Sequence, residues 1–100
     1  MAAPSIVMYA KKTCPYCHMA ERLLRDRGVD YINKILIDEQ PQRRQEMLAR
    51  SGGRTTVPQL FIDDQHIGGC DDLMALDAAG GLEPMLSART GSSPPPRPSN

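Results

Sequence analysis

The stretch SIVMYAKKTCPYC, residues 5–17, decides how this chain is read. Ser5–Tyr9 is a short apolar, β-favouring run without polar alternation, the pattern of a strand buried on both faces. Lys11 and Lys12 end that run. Thr13-Cys14-Pro15 then opens a helix, because proline suits the first helical position, where its missing N–H is not needed. Ala20, Leu23 and Leu24 extend the helix as an apolar stripe, and Gly28 supplies the stop. Tyr31–Ile37 reads as the next strand. Together, residues 5–37 make a strand–helix–strand unit whose two strands run parallel, joined by a right-handed crossover.

Working outward, Pro41–Arg50 reads as a second helix, highly charged, with Met47 and Leu48 as its apolar contacts. Gly52 and Gly53 end it. Leu60–Asp63 and His66–Gly68 form an antiparallel hairpin around an Asp64-Gln65 turn. Leu73–Ala79 is a third helix stopped by Gly80 and Gly81, and Leu82–Ala88 is a last short helical turn. From Arg89 the chain reads RTGSSPPPRPSN, with nothing to bury, so residues 89–100 are expected to be a disordered tail on a domain spanning residues 1–88. Pro95–Pro98 formally matches a Pro-x-x-Pro ligand and is read as inert. The expected order, β-α-β-α-β-β-α, is an α/β fold with a four-stranded mixed sheet flanked by helices.

At 100 residues and 11.0 kDa the chain fits one small domain. A formal net charge of zero argues against a generally basic nucleic-acid binder and against a polyanionic tail protein. No apolar run approaches the roughly 20 residues that span a bilayer. Met1–Ala10 lacks Lys and Arg and runs into Lys11-Lys12, the reverse of a signal peptide's order, so a cytoplasmic location is expected. One Phe, three Tyr and no Trp leave the core to Ile, Leu, Val and Met. Three cysteines are too few for a secreted disulfide scaffold. In the cytosol a cysteine pair is redox-active or metal-binding more often than structural.

The pair is Cys14-Pro15-Tyr16-Cys17, at a helix start. A helix N-terminus carries unpaired N–H groups and about half a positive charge, which stabilise an anion there. Thiols so placed fall from about 8.5 into a range of about 3.5–7.5. Cys14, at the cap and near Lys11 and Lys12, is therefore expected to be the attacking thiolate. Cys17 lies one turn on, within reach of the Cys14 sulfur but without the same help, and is expected to resolve the mixed disulfide. The rival reading is half a zinc site completed by His18 and Cys70. It lacks a second closely spaced Cys/His pair, and His18 follows Cys17 too closely to share its side of the helix. No metal is expected, and His18 reads as a solvent-facing helix residue.

Three motifs in order, TCPYC (13–17), TVP (56–58) and GGCDD (68–72), resemble the glutaredoxins, of thioredoxin fold. The resemblance runs from about Ile6 to Leu86, and looks strongest toward the small bacterial dithiol members through RTTVPQLFID, HIGGCDDL and ALDAAGGL. It implies a cis Val57–Pro58 bond facing the cysteines, with Thr56, Val57 and Pro58 pairing with the cysteine part of glutathione much as an added strand would. It implies that Gly69, Cys70, Asp71 and Asp72 take the γ-glutamyl end, its carboxylate on backbone N–H groups and its amine on an aspartate. Ordinary helix capping explains at least one of those acids equally well. Lys11 matches the family's lysine for the glycine carboxylate, Tyr16 flanks the sulfur, and Arg44 or Gln45 assist. Many relatives have a basic residue directly before Thr-Val-Pro; here Thr55 stands there and Arg54 one place earlier, which leaves the contact of Arg54 open. Cys70 is a small packing residue or the site of an adventitious or regulatory disulfide.

The charge distribution agrees: residues 11–54 hold ten basic and six acidic side chains, and residues 55–88 hold six acidic and none basic. Such asymmetry suits a zwitterionic peptide, although solvated faces explain most of these charges. The resemblance thus implies a monomeric, glutathione-dependent thiol–disulfide oxidoreductase that reduces protein–glutathione mixed disulfides and protein disulfides. Glutathione is its co-substrate, and its partners are glutathionylated or disulfide-bonded proteins, ribonucleotide reductase among the candidates. Two alternatives stay open at this point: an electron donor reduced by thioredoxin reductase, and a carrier of a glutathione-ligated [2Fe-2S] cluster. Pro15 and the presence of Cys17 weigh against the second.

Overall fold

The computed structural model describes residues 4–87, so Ala88 and the expected tail lie outside the described residues. The elements are β1 (Ile6–Ala10), α1 (Pro15–Asp26), β2 (Asn33–Leu36), α2 (Arg43–Arg50), β3 (Gln59–Ile62), β4 (Gln65–Gly68), α3 (Cys70–Ala78) and α4 (Leu82–Ser87). They build one four-stranded sheet in the order β2-β1-β3-β4. Strand β1 runs parallel to β2 and antiparallel to β3, and β4 closes the far edge antiparallel to β3. This is the mixed sheet of the thioredoxin fold.

Alternation along the central strands divides the core in two. Ile6, Met8 and Ala10 from β1, with Leu60 and Ile62 from β3, meet Ala20, Leu24, Leu73, Leu82 and Leu86 of the helices on one face. Tyr9 and Phe61 point to the other face, where Ile35, Ile37 and Met47 complete a smaller cluster under α2. Both faces of β1 are thus covered, as its unbroken apolar run predicted.

Helix α2 is highly charged, and apolar contact alone does not explain how it docks. The Tyr9 hydroxyl, from a fully buried residue, donates to Glu46, and Arg50 Nη1 donates to that hydroxyl at 2.9 Å. Arg43 holds both Glu46 oxygens at 2.9 Å. The Arg50 guanidinium lies 4.3 Å from the centroid of the Phe61 ring, a cation–π contact. Arg43 and then Tyr9 hold the Glu46 carboxyl at about 2, against an ordinary value of 4.5. The folded state therefore resists protonation at Glu46. Its stabilising contribution is complete above about pH 4.5 and is lost as pH falls toward 2. Urea midpoints measured from about pH 5 down to pH 2 are expected to fall less steeply for Glu46→Gln than for wild type. Parallel profiles would remove Glu46 from the acid response.

Several element ends differ from the sequence expectation, each for a local reason. The hairpin turn is at Asp63-Asp64, not Asp64-Gln65. Both aspartates adopt positive φ, 51° and 68°, the conformation that suits a two-residue hairpin turn and that Asp tolerates. The strands accordingly shift to Gln59–Ile62 and Gln65–Gly68. The third helix begins at Cys70, not Leu73, because the Asp72 carboxylate accepts the Gly69 N–H at 2.9 Å and caps it. The second strand contracts to Asn33–Leu36, leaving Tyr31 71% exposed, and α2 starts at Arg43, with Pro41 and Gln42 in a turn.

Candidate functional site

Cys14 caps α1 with an extended backbone, and Pro15 occupies the first turn. The Cys17 N–H donates to Cys14 Sγ at 3.3 Å, so the sulfur occupies the place a Ser or Asp oxygen takes at an ordinary cap. Cys14 is buried but retains 9% of its surface, whereas Cys17 retains 4%. On its other side, Cys14 Sγ lies 4.0 Å from the Val57 carbonyl oxygen. The Val57–Pro58 bond is cis, as the resemblance implied.

Burial, then the hydrogen bond with Cys14, pushes the Cys17 thiol up to about 12, against a weaker opposing backbone bond from Lys11. Cys17 therefore keeps its proton across the physiological range. Burial first, then the Asp71 charge, also raises the Cys70 thiol, whose Sγ contacts Met74 Sδ at 3.8 Å. Brief treatment with iodoacetamide at about pH 8 is expected to modify Cys14 and spare Cys17 and Cys70 until the protein is unfolded. Peptide mapping by mass spectrometry that found early label on Cys17 would contradict this assignment.

Beside Cys14 opens a groove of about 330 Å³. Tyr16 of α1 forms one wall, Thr56, Val57 and Pro58 another, and Gly69, Cys70 and Asp71 at the start of α3 the third. Most of the residues singled out in the sequence thus come together on one side of the cysteine pair. Lys11 and Asp72 do not line this groove. Lys11 is exposed and lines a separate cavity of about 110 Å³ on the Cys17 side, with Lys12, His18, Lys34 and Glu21. The Asp72 carboxylate is held by the Gly69 N–H and by Arg54 Nη2 at 3.2 Å, and both bonds pull it below the usual carboxylate range. That ion pair is the contact of Arg54 that the sequence left open. Arg44 and Gln45 are exposed on α2 and line neither cavity. Among the described residues, no three His, Cys, Asp or Glu side chains converge as a metal site.

One polar residue behind the groove escaped the sequence reading. Gln59 is fully buried, and its amide bonds to the Thr56 carbonyl at 3.0 Å. The available signal was a glutamine directly after Pro58, heading the otherwise apolar run QLFI. Chemically, the arrangement sets a capped thiol, the more exposed of the pair, next to a second thiol that holds a proton, beside a groove edged by polar backbone. It can exchange disulfides presented in that groove.

The glutaredoxin family profile matches residues 6–67. Glutaredoxin 3 of Escherichia coli strain K12 is 58% identical over 82 residues, covering 82% of this chain and 96% of that one. A glutaredoxin of Pseudomonas aeruginosa PAO1 is 51% identical over 85 residues, covering 85% of this chain and 99% of its own. Among solved structures, glutaredoxin from Brucella melitensis superposes with a TM-score of 0.74 at 39% identity, covering 92% of this chain and 98% of that one. A buckwheat glutaredoxin–glutathione complex gives a TM-score of 0.75 at 32% identity, covering 84% and 77%. No described helix is long and apolar enough to cross a membrane.

Proposed function

The chain belongs to the glutaredoxin family and has the fold and cysteine pair of a thiol–disulfide oxidoreductase, and from that premise we propose that glutathione is its co-substrate. One observation carries the reading: the Thr56–Pro58 segment and the N-terminus of α3 line a single groove of tripeptide scale, and Cys14 Sγ lies 4.0 Å from the carbonyl of Val57 in its wall. That the buckwheat relative was solved with glutathione supports the same reading.

In the proposed cycle, the Cys14 thiolate attacks the glutathionyl sulfur of a protein–glutathione mixed disulfide. The substrate's S–S bond breaks, its protein thiolate leaves, and a Cys14–glutathione disulfide remains. A second glutathione thiolate attacks the glutathione sulfur of that intermediate, releasing glutathione disulfide and restoring Cys14. With a protein disulfide, Cys14 forms the mixed disulfide and Cys17, after losing its proton, attacks the Cys14 sulfur. Two glutathiones then reduce the resulting Cys14–Cys17 bond.

The bound glutathionyl group would pair its cysteine backbone with Val57, in the manner of an added strand. Its γ-glutamyl carboxylate would meet the Cys70 and Asp71 N–H groups at the positive end of α3. Its amine would share the Asp72 carboxylate with Arg54, Tyr16 would cover the sulfur, and Lys11 would swing toward the glycine carboxylate. We assign this activity to a cytoplasmic monomer whose partners are glutathionylated or disulfide-bonded proteins.

The reducing partner decides the reading. Turnover of a glutathionylated peptide is expected with glutathione, NADPH and glutathione reductase, and not with NADPH and thioredoxin reductase alone. Turnover with thioredoxin reductase only would make the protein a glutaredoxin-shaped donor and remove glutathione from the groove.

A further inference from the structure

We propose that Gln59 and His66 are positioning residues that aim the Val57 peptide into the groove and so set the affinity for the glutathionyl group. This rests on the reading of the groove as the glutathionyl site.

Gln59 opens β3 on the same face as Phe61, the α2 side of the sheet, opposite to Leu60 and Ile62. It is fully buried, and a buried amide costs free energy unless it is hydrogen-bonded. Gln59 uses both ends. Its Nε2 donates to the Thr56 carbonyl at 3.0 Å and to Thr56 Oγ1 at 3.3 Å, and its Oε1 meets His66 Nε2 at 2.7 Å. A carbonyl oxygen only accepts, so the nitrogen end of the amide must face Thr56. The oxygen end then requires a donor, and His66 Nε2 must carry a proton. The imidazole is held in place across the β3–β4 register by the Phe61 ring, 5.0 Å away between centroids. Burial, then the Arg54 charge, lowers the His66 pKa against a smaller opposing pull from Asp72, which favours the neutral ring.

The consequence for the groove follows from peptide planarity. In a trans peptide the carbonyl of one residue and the N–H of the next point in opposite directions. Pinning the Thr56 carbonyl toward the buried Gln59 amide turns the Val57 N–H the other way. Val57 lines the groove, and its own carbonyl lies beside Cys14 Sγ. The relay runs from His66 through Gln59 to Thr56, and its output is the orientation of the Val57 N–H that a bound glutathionyl group would use.

The test compares wild type with Gln59→Met, which keeps the volume, and His66→Phe, which keeps the ring against Phe61. Steady-state kinetics with a glutathionylated peptide, at fixed glutathione, are paired with the ¹H–¹⁵N resonance of the Val57 amide. Both variants are expected to raise KM about fivefold to tenfold, the value of one lost hydrogen bond, with kcat changed less than about twofold. The Val57 resonance is expected to shift in both. A merely structural role would lower the melting temperature and leave KM and that resonance unmoved, which would overturn the relay. If Gln59→Met does not fold, His66→Phe, which retains the buried amide, decides alone. Wild type inactive toward the peptide would overturn the functional reading instead, and the Val57 resonance would then decide the relay by itself.

Discussion

Cys14→Ser is expected to reduce turnover of a glutathionylated peptide by about 10³-fold or more, whereas Cys17→Ser retains most of it. The asymmetry follows from the cap. The Cys14 sulfur sits at the α1 terminus beside Val57 of the groove wall, and its hydroxyl replacement cannot form or exchange an S–S bond. In the proposed cycle the Cys17 thiol contributes nothing to attack on a mixed disulfide, because a second glutathione would complete it. The backbone N–H at position 17, which donates to Cys14 Sγ at 3.3 Å, is untouched by Cys17→Ser. Reduction of an intramolecular protein disulfide should separate the variants differently, with both inactive, since resolution there needs the second thiol. Coupled assays on the two substrates, run side by side, check both statements. Equal loss in both variants on the glutathionylated peptide would mean that the Cys14–Cys17 disulfide is obligatory and that the one-thiol route is wrong.

The cap on which that proposed division of labour rests was legible in the sequence because it depends on local signals. A proline at the first helical position, a cysteine immediately before it and a second one turn later fix the cap from short-range rules alone. The groove walls were legible for a different reason: TVP and GGCDD are recognisable strings whose neighbourhood comes with the family resemblance. The missed or misplaced features share a cause. The Arg54–Asp72 pair joins residues 18 apart, and the Gln59–His66 bond needs the β3–β4 register, so each depends on a tertiary juxtaposition that no local pattern encodes. The start of α3 was displaced for a related reason. Periodicity pointed to Leu73, where the apolar face begins, while the cap is made by Asp72 reaching back to Gly69. The docking of α2 was underread too, since Met47 and Leu48 are visible as apolar letters but the Tyr9–Glu46–Arg43 network is not.

Gly68 joins stability and the groove, and Gly68→Ala is expected to cost about 2–4 kcal/mol, the sum of backbone strain and a lost cap. Its φ is +117°, a conformation that L side chains rarely adopt. A Cβ there would sit 2.3 Å from Asp72 Oδ2 and 2.7 Å from its Cγ. Asp72 would have to swing away, giving up the Gly69 N–H and the Arg54 guanidinium together. For a domain of this size the corresponding fall in Tm is about 10 °C or more. Because Gly69–Asp71 form one wall of the groove, KM for the glutathionylated peptide should rise while kcat holds. Asp72→Ala provides the internal control. It removes the two closest clashing atoms, so Gly68→Ala should cost less in that background, leaving the φ strain and a contact to the Asp72 Cβ position at 2.9 Å. Urea unfolding of the four proteins in this cycle measures the coupling directly. Strictly additive costs would show that the strain lies wholly in the backbone and that the Asp72 carboxylate plays no part in closing this corner.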